Sequence, residues 1–309
     1  MLEKYQQTLK EKVTLEGVGL HTGKKSKISI NPANADQGII FKRVDLKKDN
    51  LIVANFKNVS SAKLCTTLQN EKGVKVSTVE HLLAALYISG VDNALIEIDN
   101  CEVPIMDGSA KDFLDAIQKT ELLKLSKKRK YLKILKKVEL IDGKKRIHIE
   151  ANNPYSLEIS FQLNYDNKII GKQKNTINFE LDDLNDVYNS RTFCLFNDIA
   201  KIKKAGLAQG GSLENAVVVN DEKILNETGL RNKNEFVNHK ILDLAGDFLL
   251  SGYRVLGKVE CYQGGHELTN NFLKKLIKND KSFLISEIED IIISKNLTPN
   301  QSIKLVANA

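Results

Sequence analysis

Phe236-Val-Asn-His239-Lys-Ile-Leu-Asp243-Leu-Ala-Gly-Asp247-Phe-Leu-Leu250 has the apolar period of a helix, and Ser251-Gly252 stops it. A strand pattern follows from Arg254 to Cys261. The same design occurs earlier in the chain. His81-Leu-Leu-Ala-Ala-Leu-Tyr-Ile-Ser89-Gly90 is a helical segment with a Ser-Gly stop, and Ala94 to Ile98 then reads as a strand. Both Ser-Gly pairs stand at the same offset from a potential metal ligand, His81 in one case and Asp243 in the other. Such an echo points to two related halves. It places His81 and Asp243 at equivalent sites of two repeated units, with a metal between them.

The segments around this pair fit the same picture. Residues 26–31 and 38–43 alternate like strands, with Asn-Pro-Ala-Asn-Ala-Asp-Gln-Gly as the turn between them. Ser77 to Ser89 and Lys111 to Leu122 are helical in period, and Cys101 to Ser109 is an extended loop through Pro104 and Asp107-Gly108. Strand patterns recur near 131–140, 145–150 and 155–163. Segregated helices and hairpin-like strands predict an α+β protein. The expected architecture is two similar domains, 1–126 and 127–309, each a helix layer packed on a mainly antiparallel sheet.

Composition narrows the class. A chain of 309 residues is long enough for two cores. With 42% hydrophobic and 28% charged residues it reads as globular, not disordered or fibrous. The longest apolar run, Leu82 to Val91, is half of the roughly 20 residues a membrane helix needs. Met1-Leu-Glu-Lys-Tyr-Gln-Gln is too polar for a signal peptide. Four cysteines lie far apart with no CxxC pair, which argues against a disulfide scaffold or zinc ribbon and for a reducing, cytoplasmic setting. The net charge of +7 belongs to one stretch. Lys124, Lys127, Lys128, Arg129, Lys130, Lys133, Lys136 and Lys137 follow one another without an intervening acid. No nucleic-acid motif accompanies them, so the stretch reads as a solvated linker compatible with weak attraction to an anionic membrane, and no nucleic-acid partner is expected.

Three motifs carry chemistry. His239 and Asp243 lie four apart and share a helix face, which Asp247 extends by a turn. A polar stripe on an otherwise apolar helix is costly unless paired or ligating. An internal His–Asp hydrogen bond and a metal both satisfy that requirement. Ser77-Thr-Val-Glu80-His81 fits a capping box that opens a helix. It also suits metal-assisted hydrolysis, because a helix N-terminus favours an ionised Glu and a neutral His. Two His and one carboxylate form the ligand set of a catalytic zinc with a position left open, and the adjacent Glu would then be the base for water. In Cys261-Tyr-Gln-Gly264-Gly265-His266 a His follows two glycines at a strand end. The remaining features carry less. Gly17-Val-Gly19-Leu-His21-Thr-Gly23 lacks the full dinucleotide pattern and reads as a turn with a structural His21. Gln209-Gly-Gly-Ser212 lacks the phosphate-loop lysine, and His148 alternates with apolar residues in a strand.

Taken together, Ser77-Thr-Val-Glu80-His81-Leu-Leu-Ala-Ala-Leu, Pro104-Ile-Met-Asp107-Gly108-Ser109-Ala110, Gly210-Gly211-Ser212, His239-Lys240-x-x-Asp243 and Gly265-His266 resemble the UDP-3-O-acyl-N-acetylglucosamine deacetylases of lipid A synthesis. Gly17-Val-Gly-Leu-His-Thr-Gly also fits, and the motifs span nearly the whole chain in order. The resemblance implies a cytoplasmic zinc amidase with its active site at the junction of two similar domains. On that resemblance His81, His239 and Asp243 are the metal ligands, for which zinc and ferrous iron both suit. Glu80 is the general base, His266 the acid at the leaving amine, Asp247 its orienting partner, and Thr192 the donor to the oxyanion. Lys240, Cys65, Leu64, Phe193, Gly211 and Lys145 fall among the residues that meet substrate, and residues near 196–212 resemble an insert that forms an acyl-chain passage. The implied partner is a UDP-acyl-glucosamine, taken by a monomer.

The chain departs from the family pattern near the nucleotide. Leu163-Asn164-Tyr165-Asp166 stands where relatives often carry an aromatic-Asn-His-Pro stretch, so Tyr165 is expected to replace those contacts. Gln263 stands where some carry a lysine, and Lys144 competes with Lys145 for the phosphates. Two rival readings remain at the level of sequence: a generic zinc amidase or peptidase, disfavoured by the absence of HExxH, and a non-enzymatic basic binding module with a structural metal.

Overall fold

The computed structural model describes residues 2–152 and 155–289. The first half runs β1 (Tyr5–Leu9), β2 (Val13–Val18), β3 (Lys25–Pro32), β4 (Ile39–Arg43), β5 (Leu51–Val53), β6 (Val59–Ser61), β7 (Thr67–Gln69), β8 (Lys75–Val76), α1 (Glu80–Ser89), β9 (Ala94–Ile98), α2 (Lys111–Thr120) and β10 (Leu122–Lys128). The second runs β11 (Tyr131–Ile134), β12 (Val138–Asp142), β13 (Lys145–Glu150), β14 (Leu157–Asn164), β15 (Lys172–Asn178), α3 (Asn185–Tyr188), β16 (Phe193–Leu195), α4 (Phe196–Lys204), β17 (Val217–Val219), α5 (Glu235–Leu249), β18 (Arg254–Tyr262), α6 (His266–Lys278) and β19 (Phe283–Ser286).

The two halves repeat one topology. In the first sheet the order is β2-β3-β9-β4-β5, with β4 and β9 parallel and the other neighbours antiparallel. In the second, β12, β13, β18, β14 and β15 stand in the same order, and β14 pairs β18 in parallel while the other neighbours are antiparallel. In both, the strand that enters the middle of the sheet follows the helix that ends in Ser-Gly. The sequence echo therefore marks a true structural repeat. Each half also carries an insert between its fourth strand and that helix: β6-β7-β8 in the first half, and β16-α4-β17 in the second.

α1 and α5 pack directly on each other between the sheets. Their sequences explain why. α1 is buried from Glu80 to Tyr87 and α5 from Glu235 to Leu249 except at Lys240, so neither keeps a solvated face. The close crossing requires Gly246, because a Cβ there would collide with the Glu80 carbonyl oxygen and come within 3.0 Å of the Ala84 amide nitrogen. Ala84 and Gly246 occupy equivalent positions of the repeat, as do His81 and Asp243. Two equivalent helices that cross near their own symmetry axis bring equivalent residues face to face.

Several expectations need correction. The capping box does not form: α1 starts at Glu80, after Thr78 takes a left-handed φ of 57°. The Ser77 hydroxyl donates instead to the Cys101 carbonyl, and a Glu80 carboxylate oxygen accepts from the Thr66 amide. The basic stretch is not a linker. It forms β10, paired antiparallel with β1, and then β11, paired with β18 and β19 in the second sheet. Arg129 is buried between them and donates to Asp92 and to the Gly90 carbonyl, each at 2.7 Å. Lys128 pairs with Glu287 at 2.8 Å, so acids distant in sequence neutralise part of the run. The helix expected over Lys111–Leu122 ends at Thr120, and the strand expected over 131–140 breaks into β11 and β12. No helix among the described residues is long and apolar enough to cross a membrane.

Candidate metal centre and active site

The α1–α5 crossing places three side chains around one point. Asp243 Oδ1 lies 3.5 Å from His81 Nε2 and 3.4 Å from His239 Nε2, and all three residues are buried. These separations are long for hydrogen bonds. Atoms held about 2 Å from one tetrahedral centre are roughly 3.4 Å apart, so the spacing fits three ligands of a single ion. Asp243 Oδ1 is buried without a hydrogen-bond partner, which is costly for a carboxylate oxygen unless a cation meets it. The chemistry of the set agrees. Burial pushes His239 down to about 3, so its imidazole is neutral, and Nδ1 lies 3.1 Å from the Ser190 carbonyl. That contact fixes the proton on Nδ1 and leaves the Nε2 lone pair facing the centre. Burial disfavours charge on Asp243, but His239 and Lys240 outweigh it and hold the carboxyl well below the usual carboxylate range. The residues present fit a divalent ion with nitrogen and oxygen ligands.

Glu80 and His266 face each other across this centre, with His266 Nε2 at 3.6 Å from Glu80 Oε1 and 3.8 Å from Asp243 Oδ2. His266 stands at the first position of α6, immediately after Gly264-Gly265. Its Nδ1 lies 2.7 Å from Asp247 Oδ2. Burial lowers the affinity of His266 for a proton, but the carboxylates of Asp247, Glu80 and Asp243 outweigh it and push the imidazolium up to about 10. Burial raises Glu80, against the pull of His266 and His81. One acidic and one basic group thus share a site with opposed environments.

Sequence reasoning missed Thr66 as a participant. Its amide donates to Glu80 Oε2 at 3.0 Å and its hydroxyl to Asp247 Oδ1 at 2.7 Å, so one buried residue orients both carboxylates. It sits on the β6–β7 insert, far from both in sequence, and nothing in its local pattern announces that role. Cys65 is buried beside it, and burial pushes its thiol up to about 12, which excludes a thiolate nucleophile at neutral pH.

Two cavities lie beside the centre. The first, about 350 Å³, is apolar and lined by Leu64, Thr192, Phe193, Phe196, Ile199, Ile202 and Gly211 among others. It joins the inserts of the two halves. Leu207, expected from the 196–212 stretch to line the passage with Phe196, Ile199 and Ile202, does not line it; its amide instead closes the end of α4 on the Ile202 carbonyl. His21, expected to be structural, also lines this cavity, with its Nδ1 accepting from the Ala208 amide. The second cavity, about 490 Å³, is polar and gathers Lys144, Lys145 and Lys240 with Tyr165 and Gln263. Lys240 reaches Asp243 Oδ2 at 2.8 Å and lies 5.5 Å over the Phe193 ring, and Phe193 sits 6.2 Å from the His239 ring. Phe193 is thus the wall between the apolar cavity, the polar cavity and the ligand cluster. Of the residues singled out in the sequence, His81, His239, Asp243, Glu80, Asp247 and His266 meet in the cluster, Leu64, Thr192, Phe193 and Gly211 line the apolar cavity, Lys145 and Lys240 line the polar one, and Cys65 lines neither.

The family model described as UDP-3-O-acyl N-acetylglycosamine deacetylase matches residues 6–278. Among curated proteins, a UDP-3-O-acyl-N-acetylglucosamine deacetylase of Geotalea uraniireducens is 42% identical over 285 residues, covering 92% of each chain. Proteins of the same name from Aliivibrio fischeri and Haemophilus ducreyi are 39% and 38% identical, covering 92% of this chain and 94% of theirs.

Proposed function

The chain belongs to the UDP-3-O-acyl N-acetylglycosamine deacetylase family, and we propose that it hydrolyses the N-acetyl group of UDP-3-O-acyl-N-acetylglucosamine, releasing acetate and the free amine for lipid A synthesis. The observation that carries the reading is the unpartnered Asp243 Oδ1 set against two imidazoles, with a buried carboxylate and a buried imidazolium on either side. An ion held by His81, His239 and Asp243, zinc or ferrous iron, supplies Lewis acidity toward the acetyl carbonyl and toward water.

The remaining work falls to the chain's own residues. Glu80 accepts the proton of the attacking water. His266, protonated at neutral pH and aligned by Asp247, donates to the departing amine, which is too poor a leaving group to depart as an anion. Thr192, at the junction of cavity and cluster, donates its hydroxyl to the developing oxyanion. The apolar cavity takes the acyl chain, with Leu64, Phe193 and Gly211 on its wall. The lysine-rich cavity takes the diphosphate, with Lys240 and Lys145 as contacts and Tyr165 beside the uridine. The buried free cysteines suit a reducing cytoplasm, and the working unit we propose is a monomer.

The test is a deacetylation assay on the UDP-acyl substrate with metal content measured on the same sample. Acetate release that scales with bound metal supports the reading. Metal without turnover would favour a structural ion in a binding module.

A further inference from the structure

We propose that the rim of the apolar cavity seats on an anionic lipid bilayer. Three large apolar side chains that line this cavity are also half exposed: Leu64 at 52%, Phe196 at 53% and Leu213 at 47%. Leu64 comes from the insert of the first half and the other two from the insert of the second. Other large apolar side chains are exposed elsewhere on the surface, Ile141 and Leu181 among them, but these three meet at one opening, and a cluster of this kind marks an interaction site.

The helix beside the opening has the character of an interfacial element. α4 has no buried residue along its whole length, unlike α1, α2, α5 and α6, each of which buries a face in the core. Phe196, Ile199 and Ile202, one helical turn apart, turn toward the cavity. Lys201, Lys203 and Lys204 are exposed on its last turn and have no ion pair among the described residues. Lys63 adds an exposed charge next to Leu64. Asp198 and Glu214 are the acids on these segments, so lysine predominates. Apolar side chains flanked by lysines match an anionic bilayer in both respects: the former enter the acyl boundary and the latter meet the headgroups. A lipid surface at this point also makes sense of an acyl passage that opens there. In that respect the inference rests on the deacetylase reading, but its test uses no substrate, so the two fail separately.

The experiment is flotation of the full chain with vesicles of phosphatidylcholine alone and of phosphatidylcholine mixed with phosphatidylglycerol. The protein is expected to float with the mixed vesicles, to stay behind with the neutral ones, and to be released by salt. Each lysine near an anionic leaflet strengthens binding by roughly fivefold, so the triple variant K201Q/K203Q/K204Q should lose about a hundredfold. Phe196→Ser should weaken flotation even at low salt. A paired change of exposed lysines elsewhere, Lys47→Gln with Lys48→Gln, should leave it unaltered. Equal flotation with both vesicle types, no flotation with either, or a triple variant that floats like the parent would overturn the proposal. The second of these outcomes would return the rim to a protein partner.

Discussion

The α-carbon of Gly246 faces the carbonyl oxygen of Glu80 so closely that no methyl group fits between the two helices. This contact fixes where Glu80 and His81 stand relative to Asp243 and Asp247, one residue on from the glycine. Gly246→Ala should therefore push α1 off α5. The expected stability loss is about 1–3 kcal/mol for overpacking, with a larger proportional loss of turnover than of fold. A thermal melt and an assay on the same preparation decide it. Unchanged turnover with an unchanged Tm would mean that the crossing tolerates a side chain and does not set the site.

The Asp247–His266 pair gives a pH expectation with a definite sign. In the metal-free protein His266 is expected to keep its proton to about pH 10, above its unfolded value near 6.5. Its stabilising contribution is then fully present below pH 6.5 and lost as pH rises toward 10. Asp247→Asn removes the strongest of the charges that raise it and should bring the titration down. An NMR titration of the His266 ring checks both, and a ring that titrates near pH 6.5 in the parent protein contradicts the assignment. Thr66→Val leaves one Asp247 oxygen without its hydroxyl partner, which concentrates charge on the carboxylate, so it should not lower the His266 titration as Asp247→Asn does.

Acyl length should matter if the apolar cavity is a passage. Each buried methylene contributes about 0.8 kcal/mol, roughly fourfold in kcat/KM. Shortening the chain by several carbons should lower kcat/KM steeply. Ile199→Gln, on the cavity wall, should penalise long-chain substrates selectively. Equal rates for short and long acyl groups would leave the cavity without this role.

Glu80 separates chemistry from metal holding. Its carboxylate is placed by the Thr66 amide and faces His266, and it is not one of the three grouped ligands His81, His239 and Asp243. Glu80→Gln should keep the metal and lose about 100- to 10,000-fold in kcat. Near-normal turnover with metal content verified would remove the general-base role.

Much of this was legible before the fold was known, and the reason lies in helix geometry. His239, Asp243 and Asp247 share a face because a helix repeats every 3.6 residues, so their chemistry could be read from spacing alone. The echo between His81 and Asp243 was legible because a buried helix that ends in Ser-Gly and feeds a central strand constrains sequence in both halves. Glu80 was legible as a residue but not in its partner, since the left-handed Thr78 that prevents the capping box has no local signature. Thr66 and the Arg129–Asp92 joint were not legible at all. Each depends on two segments that meet only through tertiary packing, and the lysine run around Arg129 looks like linker until β1 is seen beside it.

His81, His239 and Asp243 together are expected to hold one ion at the junction of the two halves. The direct measurement is the metal content of Asp243→Ala and His81→Ala after equilibration with zinc, with circular dichroism on the same samples. Both variants should keep a folded spectrum and bind far less than one ion per chain, while the parent binds one. A folded Asp243→Ala that still retains a stoichiometric, tightly bound ion would contradict the account.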